Sequence, residues 1–509
     1  MRLPLLVFLS ILQATALKFL AYNPGIGTSH FTYISRVVEA LVEAGHDVVM
    51  LAPQLTEKVK IVETKGARII KDVKISDEAA KIAESAVTRM IDLVWTYKSD
   101  LDFAELVVSH KIWYAMIIAA TLQTPGLLER LKAEKFDAAF AEPVDLCGFG
   151  AYFHHLPGIF HLIGIKSYAM MLSVSTTEGT FDVTGAPTVP SYVPGTMADF
   201  GERMTFFQRV INTVTLGFLY VFFRFCKLTY NPLFIYDVQR MHAFIQNILK
   251  NSSLFFPNCE PLTDFPRPTS HKIVEIGGIT VSGGRDLLDE KWSSILDARP
   301  KTVLLSFGTG AQAYMMPESY KNAIREMIAA FPEVTFIVKY EKAEDGFSKS
   351  LPNVVEGTWL PQRALLKDAR LSAFFTHGGA GSTTEATHAG VPLIVVPIMG
   401  DQLRNGRLIE RLGTGIKLDK DSLASSADLI SAMTRILDEK SFKPKAKIAA
   451  DQLRQAPFSP REKLVRNMEF MAKFGPLTQL DHYGTQLYTF QYYLIDVFAF
   501  LTLVVIVVL

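Results

Sequence analysis

The stretch 359–402 constrains the fold more than any other part of this 509-residue chain. Its apolar run 371–376 is short and is followed by two glycines, which predicts a buried strand that ends in a turn. The run 382–385 begins a predicted helix that ends at Gly390, and 391–397 follows as a second buried strand. This order of elements is one βαβ unit, which indicates an α/β fold with a parallel sheet.

The turn between the first strand and the helix has the composition of a phosphate-binding loop. Small residues at 378–381 let backbone N–H groups approach an anion, and the N-terminus of the helix adds a positive dipole. His377, directly before the turn, supplies a side-chain donor. Two other interpretations stay open on these residues alone: Ser382 and Glu385 have the spacing of a capping box, and the glycines could serve only packing.

Three groups of residues in this stretch resemble, in order and spacing, the signature of the UDP-glycosyltransferase family. They are Trp359-Leu-Pro-Gln362, His377-Gly-Gly-Ala-Gly-Ser-Thr-Thr-Glu385 and Asp401-Gln402. The resemblance implies the GT-B architecture, in which two Rossmann-like domains face a cleft. It also implies a UDP-sugar as co-substrate, without a cofactor and without a metal ion.

The resemblance further implies a role for each donor-binding position. Trp359 would stack on the uracil ring, and Gln362 and Glu385 would bind the ribose. Asp401 and Gln402 would bind the sugar hydroxyls. The diphosphate would be held by the two glycine turns, which contribute His377, Gly379, Gly381, Ser382 and Gly308. An aromatic plane, carboxylate and amide groups, and backbone donors suit a base, vicinal hydroxyls and phosphate respectively.

A second βαβ start opens the chain after residue 16. A strand over 17–22, a glycine turn and a helix over 29–44 place His30 in the first helical turn, at the carboxyl end of a strand, where α/β proteins bind ligands. Because a helix N-terminus disfavours a cation, the sequence predicts a lowered pKa for His30 and a neutral imidazole that can act as a base. A polar surface residue is the other interpretation. The family resemblance, carried by Gly27-Thr-Ser-His30, favours catalysis.

A buried strand over 136–141 ends at Glu142-Pro-Val-Asp145. In the family that the chain resembles, a carboxylate at the end of this strand orients the catalytic histidine and is commonly aspartate. Alignment on the following Cys147-Gly148 gives Glu142, and Asp145 is the rival partner. We therefore expect His30 and Glu142 to form the catalytic pair.

Length and composition set the domain count and exclude two classes of protein. Single cores stop growing near roughly 250–300 residues, so two large domains are expected. A net charge of +1 without a basic block argues against a nucleic-acid binder, and three cysteines are too few for a disulfide framework. The predicted divisions are a signal peptide over 1–16, an acceptor-binding domain over 17–281, a linker over 282–292, a UDP-sugar-binding domain over 293–475 and a transmembrane helix over 488–509.

The two apolar ends predict a single-pass type I protein of the endoplasmic reticulum membrane. The run 3–12 ends in small residues as signal peptides do, and Tyr488–Leu509 has the length of a membrane span with tyrosines at one end. The catalytic domains would face the lumen, where Asn251 lies in a glycosylation sequon. The apolar stretch Phe206–Tyr236 is either an amphipathic segment that contacts the membrane or a buried core helix.

The sequence thus predicts an enzyme that transfers glucose or glucuronic acid from a UDP-sugar to a hydroxyl of a small lipophilic acceptor, with inversion, as in detoxification. Arg404 or Arg407 would suit the carboxylate of glucuronic acid, whereas resemblance to invertebrate-like members favours glucose. A homo-oligomer is compatible with the sequence. Two other classes stay open: a catalytically silent family member that binds glycosides or partners, and a nucleotide-sugar hydrolase.

Overall fold

The computed structural model describes residues 16–25, 27–54, 62, 64–73, 75–96, 120–143, 158–176, 184–225, 249–281 and 287–508. Several sequence predictions fall outside these residues. They concern the signal peptide before residue 16, the rival carboxylate Asp145 and the first part of the linker, 282–286. Two further predictions also fall there: that the apolar run 112–118 packs in the core or lines an acceptor pocket, and that Cys147 and Cys226 are buried thiols.

The first half of the described chain forms a parallel six-stranded sheet of order β3-β2-β1-β4-β5-β6. Its strands are β1 (Lys18–Tyr22), β2 (Asp47–Leu51), β3 (Arg68–Ile70), β4 (Ala138–Ala141), β5 (Tyr168–Leu172) and β6 (Leu254–Pro257). The helices of this half are α1 (Thr28–Glu43), α2 (Asp77–Thr96), α3 (Leu127–Ala133), α4 (Ile159–Leu162) and α5 (Phe206–Phe225). Most of the strands are almost continuously apolar and buried, as expected for a parallel sheet covered on both faces.

The second half repeats this plan with a parallel sheet of order β12-β11-β10-β7-β8-β9. Its strands are β7 (Lys301–Ser306), β8 (Val334–Lys339), β9 (Val354–Gly357), β10 (Leu371–Thr376), β11 (Leu393–Val395) and β12 (Gly415–Lys417). The helices that follow residue 287 are α6 (Glu290–Asp297), α7 (Glu318–Ala329), α8 (Gln362–Lys367), α9 (Ala380–Ala389), α10 (Gln402–Leu412), α11 (Ser426–Asp438), α12 (Phe442–Arg454), α13 (Pro460–Phe474), α14 (Thr489–Tyr492) and α15 (Ile495–Val508). Apolar clusters cover both faces of each sheet. The predicted α/β fold with two domains is therefore confirmed.

The strand register brings the loops of each sheet together at its carboxyl edge. In the first sheet Tyr22 pairs with Ala141, which in turn pairs with Met170. In the second sheet Thr376 pairs with both Ser306 and Val395. The residues that come directly after these strand ends must therefore be close neighbours.

Helix α13 returns to the first sheet, although the sequence analysis included it in the second domain, 293–475. Leu464 and Met468 are fully buried in the same apolar cluster as Phe19 of β1. At its side, His46 Nε2 lies 3.0 Å from a carboxylate oxygen of Glu469. Its place in the chain assigned it to the second domain, but order along the sequence does not say which sheet a helix covers.

The single helix predicted over 488–509 is two shorter helices in the structure, and its insertion in a membrane stays a prediction. Leu494, with φ of +55°, separates α14 from α15, and α15 has only 14 residues. At 1.5 Å per residue it is about 21 Å long, shorter than the roughly 30 Å of a hydrocarbon core. Within the part of the chain that the structure describes, no helix has both the length and the apolarity needed to cross a membrane.

Helix α5 settles one alternative for the apolar stretch 206–236. Phe206, Phe207 and Val214 are each more than 60% exposed, so this part of the stretch is not a buried core helix. Its contact with a membrane stays a prediction. Asn251 of the sequon is exposed, and its glycosylation and the lumenal location also stay predictions.

We expect Leu464→Ala to lower the free energy of unfolding by about 2–5 kcal/mol, because it removes a buried side chain and leaves a cavity. Ile448→Ala in the neighbouring helix α12 is the matched control, since that side chain is 57% exposed. Urea denaturation of both variants measures the difference. Equal, small changes in the two variants would show that α13 contributes little to the first core.

Candidate active site

His30 and Glu142 meet at the carboxyl edge of the first sheet. His30 lies in the first turn of α1, just after β1, and Glu142 directly follows the neighbouring strand β4. His30 Nδ1 is 2.9 Å from Glu142 Oε2. The His30 side chain is 30% exposed, whereas that of Glu142 is only 5% exposed. The predicted pair is therefore in contact, and Nε2 is left as the ring nitrogen that can take a proton.

Ser173, which the sequence analysis did not single out, completes this group. It directly follows β5, and its backbone N–H donates to Glu142 Oε1 at 2.8 Å. Its hydroxyl oxygen lies 2.9 Å from His30 Nδ1. Both carboxylate oxygens of Glu142 are thus held, which fixes the longer glutamate side chain in one orientation. A lone serine after a strand has no distinguishing spacing, so the register of β4 and β5 was needed to find it.

The structure reverses the predicted direction of the His30 pKa shift. Burial by itself would lower this pKa, but the charge of Glu142 and its hydrogen bond outweigh burial, so the pKa of His30 is raised above its ordinary value. The pKa of the Glu142 carboxyl shifts in the opposite direction. Burial by itself would raise it, but His30 and Ser173 outweigh burial and lower it. The helix-dipole argument was wrong because a carboxylate in direct contact outweighs a partial charge.

Gln362 and Glu385, the predicted ribose ligands, are in contact with each other, and Ser382 of the predicted phosphate turn lies beside them. Gln362 Nε2 donates to Glu385 Oε2 at 2.7 Å and lies 3.3 Å from Ser382 Oγ. Helix α9 begins at Ala380 rather than at the predicted Ser382. Gly379 is its N-cap residue, and no side-chain hydrogen bond caps this end of the helix. The capping-box interpretation of Ser382 and Glu385 is therefore wrong. The helix ends as predicted, with Gly390 at φ +70°.

The two glycine turns meet at His377. A Cβ added to Gly308 or to Gly379 would lie 2.6 Å from an atom of the His377 ring, so a larger residue at either position would displace the histidine. Gly378 has φ of +84°, a conformation that favours glycine. A Cβ at Gly381 would meet no protein atom within 4 Å, so the protein leaves open space beside the first turn of α9.

Lys339, a second residue that the sequence analysis missed, lies under these turns at the end of β8. Its ammonium group donates to the carbonyl of Gly308 and lies 3.1 Å from Glu341 Oε1. Burial and the nearby Lys339 charge lower the pKa of His377 to about 4. His377 is therefore neutral at pH 7 and keeps one N–H as a donor.

Asp401 and Gln402, at the start of α10, border the phosphate turn. Asn405 Nδ2 lies 2.9 Å from both Asp401 Oδ2 and the carbonyl of Gly378. Gln402 Oε1 accepts the backbone N–H groups of Ile398 and Met399. Burial raises the pKa of Asp401, and the charge of His30 opposes that rise. His30 and Asp401, which lie on different domains, are near enough for their charges to interact.

Trp359 lies between β9 and α8, and its side chain is 59% exposed. A side chain this exposed is accessible to a ligand ring, as the predicted stacking requires.

The family model described as "UDP-glucoronosyl and UDP-glucosyl transferase" matches residues 23–509. The chain belongs to this UDP-glycosyltransferase family. A putative UDP-glucuronosyltransferase of Caenorhabditis elegans, ugt-48, is 30% identical, with 98% of this chain and 94% of the relative covered. Mouse UDP-glucuronosyltransferase 1A7 is 25% identical, with 94% and 88% covered.

Solved structures of glycosyltransferases share the fold of this UDP-glycosyltransferase. The calicheamicin glycosyltransferase CalG4 superposes with a TM-score of 0.56 at 14% identity, over 91% of this chain and 100% of the other. SnogD from Streptomyces nogalater superposes with a TM-score of 0.53 at 16% identity, over 90% and 100%. These likenesses support the GT-B fold with its two facing domains.

Membership in the UDP-glycosyltransferase family makes the chain an enzyme that transfers sugar from a UDP-sugar. All twelve predicted site residues lie among the described ones, at the carboxyl ends of strands or in the helices and loops that follow. Their individual roles stay predictions. The two residues added by the structure, Ser173 and Lys339, each contact a predicted site residue.

We expect the acidic limb of the pH profile of kcat/KM to have its midpoint above pH 6.5. The reason is that His30 must be neutral to act as a base and its pKa is raised. Activity is then lost as pH falls through that pKa. Glu142→Gln removes the larger of the two carboxylate charges that raise this pKa and leaves burial and Asp401, so the limb should move to lower pH. Glu134→Gln is the control, because it alters a carboxylate of the same domain that binds Lys18 at the amino end of β1. An unmoved limb in Glu142→Gln would refute the pairing.

Proposed function

We propose that the enzyme transfers a hexose from a UDP-sugar to a hydroxyl of a small lipophilic acceptor, with inversion at the anomeric carbon. The observation that carries this proposal is the contact of His30 with Glu142 at the edge of the cleft that faces Asp401. A base on one domain and a donor site on the other are the two parts that a single displacement needs.

In this proposal His30 Nε2 takes the proton of the acceptor hydroxyl. The acceptor oxygen forms a bond to the anomeric carbon while the bond from that carbon to the β-phosphate oxygen breaks, and UDP leaves with the electron pair. The imidazolium that forms is stabilised by Glu142, whose position is fixed by Ser173. A single displacement inverts the anomeric carbon, so a UDP-α-sugar gives a β-glycoside.

The donor site suits a leaving group of high negative charge. Backbone N–H groups at the start of α9, the neutral His377 and the buried ammonium of Lys339 all lie around the two glycine turns. Preorganised donors of this kind stabilise the charge that develops as the bond to phosphate breaks. Gln362 and Glu385, already in contact with each other, would exchange part of that contact for the ribose hydroxyls.

We expect His30→Ala to lower turnover of alcohol acceptors by ~10²–10⁴-fold, the usual contribution of general-base catalysis. Acidic phenols, ionised at the assay pH, need no base and should lose much less. UDP affinity measured by calorimetry should hardly change, because the donor contacts lie on the second domain. His161→Ala, which removes an exposed histidine from the same domain, is the control. Equal losses with acidic and non-acidic acceptors would refute the base.

A neutral hexose such as glucose is the sugar that we propose. Arg404 forms a buried ion pair with Asp264, and its unpaired Nη1 has no exposed surface. Arg407 is 3.1 Å from Asp199 and 2.8 Å from Glu410. Both cations that the sequence offered for a sugar carboxylate are therefore already paired with carboxylates of the protein.

Glucuronic acid is the second candidate, because the mouse relative is named as a glucuronosyltransferase. Equal concentrations of UDP-glucose and UDP-glucuronate, incubated with one phenol, test the choice by mass spectrometry of the products. We expect the glucoside to exceed the glucuronide at least tenfold. A dominant glucuronide would refute the neutral donor while leaving the transfer reaction intact.

A further inference from the structure

Helix α2 packs in the apolar cores of both domains. Ala83 and Val87 belong to the cluster under the first sheet, whereas Val94 and Trp95 belong to a cluster of the second sheet. All four side chains are 5% exposed or less. The helix rises about 18 Å between residues 83 and 95, at 1.5 Å per residue. One rigid element of the first domain thus ends inside the second.

Trp95 makes specific contacts at that end. Its indole N–H donates to the carbonyl of Gln312 at 2.8 Å. Its ring meets the ring of Phe307 edge-on, with centroids 5.3 Å apart. The ammonium of Lys420 donates to the carbonyl of Val94 at 3.2 Å, which satisfies a backbone group in the last turn of the helix.

The segment 307–313 that Trp95 touches includes the glycine turn at Gly308. The second domain holds this segment from its own side, because Lys339 binds the carbonyl of Gly308 and Glu341 accepts the N–H of Ala313 at 2.7 Å. Trp95 adds a support that belongs to the other domain. The placement of this turn therefore depends on where α2 lies.

We propose that Trp95 is a positioning residue for the donor, which sets the Gly308 turn against the diphosphate and makes UDP affinity depend on the position of the acceptor domain. This inference rests on the proposed donor site. The coupling is reciprocal: a ligand that orders the Gly308 turn also holds α2, and a shift of α2 weakens donor binding.

Trp95→Phe tests the proposal because it keeps an aromatic ring and removes the N–H that binds Gln312. A neutral hydrogen bond contributes about 0.5–1.5 kcal/mol, so we expect UDP binding by calorimetry to weaken roughly two- to tenfold. Amides of 308–315 should exchange hydrogen faster in the free protein, whereas the pH profile of kcat/KM should keep its acidic limb. Trp292→Phe, which alters another buried tryptophan of the second domain, should change neither measurement.

Glu385→Ala separates the two ways in which the experiment could fail. If Glu385→Ala weakens UDP binding but Trp95→Phe changes neither affinity nor exchange, the role of Trp95 is refuted and the donor site stands. If Glu385→Ala leaves UDP affinity unchanged, the donor site itself is wrong. Equal effects of Trp95→Phe and Trp292→Phe would mean that loss of any buried indole is enough, which would also overturn the proposal.

Discussion

Parallel hydrogen bonding in two sheets is the constraint on which the candidate site depends. Because all strands of a sheet run in one direction, their carboxyl ends lie at one edge, and the loops that follow meet there. His30, Glu142 and Ser173 come after β1, β4 and β5, while Gly308 and His377 come after β7 and β10. Residues more than a hundred positions apart become neighbours without any local sequence signal.

The two histidines of the site show how burial and charge compete in one cleft. Burial lowers the pKa of both, but only His30 has a carboxylate in contact, and its pKa rises. His377 has a lysine nearby instead, and its pKa falls to about 4. One imidazole is thus suited to take up a proton and the other to stay neutral as a donor. Neighbouring charges, rather than the residue type, separate the two roles.

Local patterns predicted the strands well and the electrostatics poorly. The bounds of β10 agree with prediction because this strand is a buried run ended by a turn. Helix α12 was missed, since its buried residues are mainly small alanines that give little apolar contrast. The contact of His30 with Glu142 was expected from family resemblance alone. Ser173 and Lys339 could not be found from sequence, because their importance comes only from what the register places beside them.

The return of α13 to the first sheet means that the chain passes between the domains twice, once near residue 287 and once before Pro460. The first domain is therefore not a continuous stretch of sequence. A hybrid made by joining the front half of one relative to the back half of another would set a foreign helix against a native sheet, with Leu464 and Met468 facing side chains that never packed with them. Recombination between relatives should therefore exchange the helix with the sheet it covers, which requires two junctions rather than one.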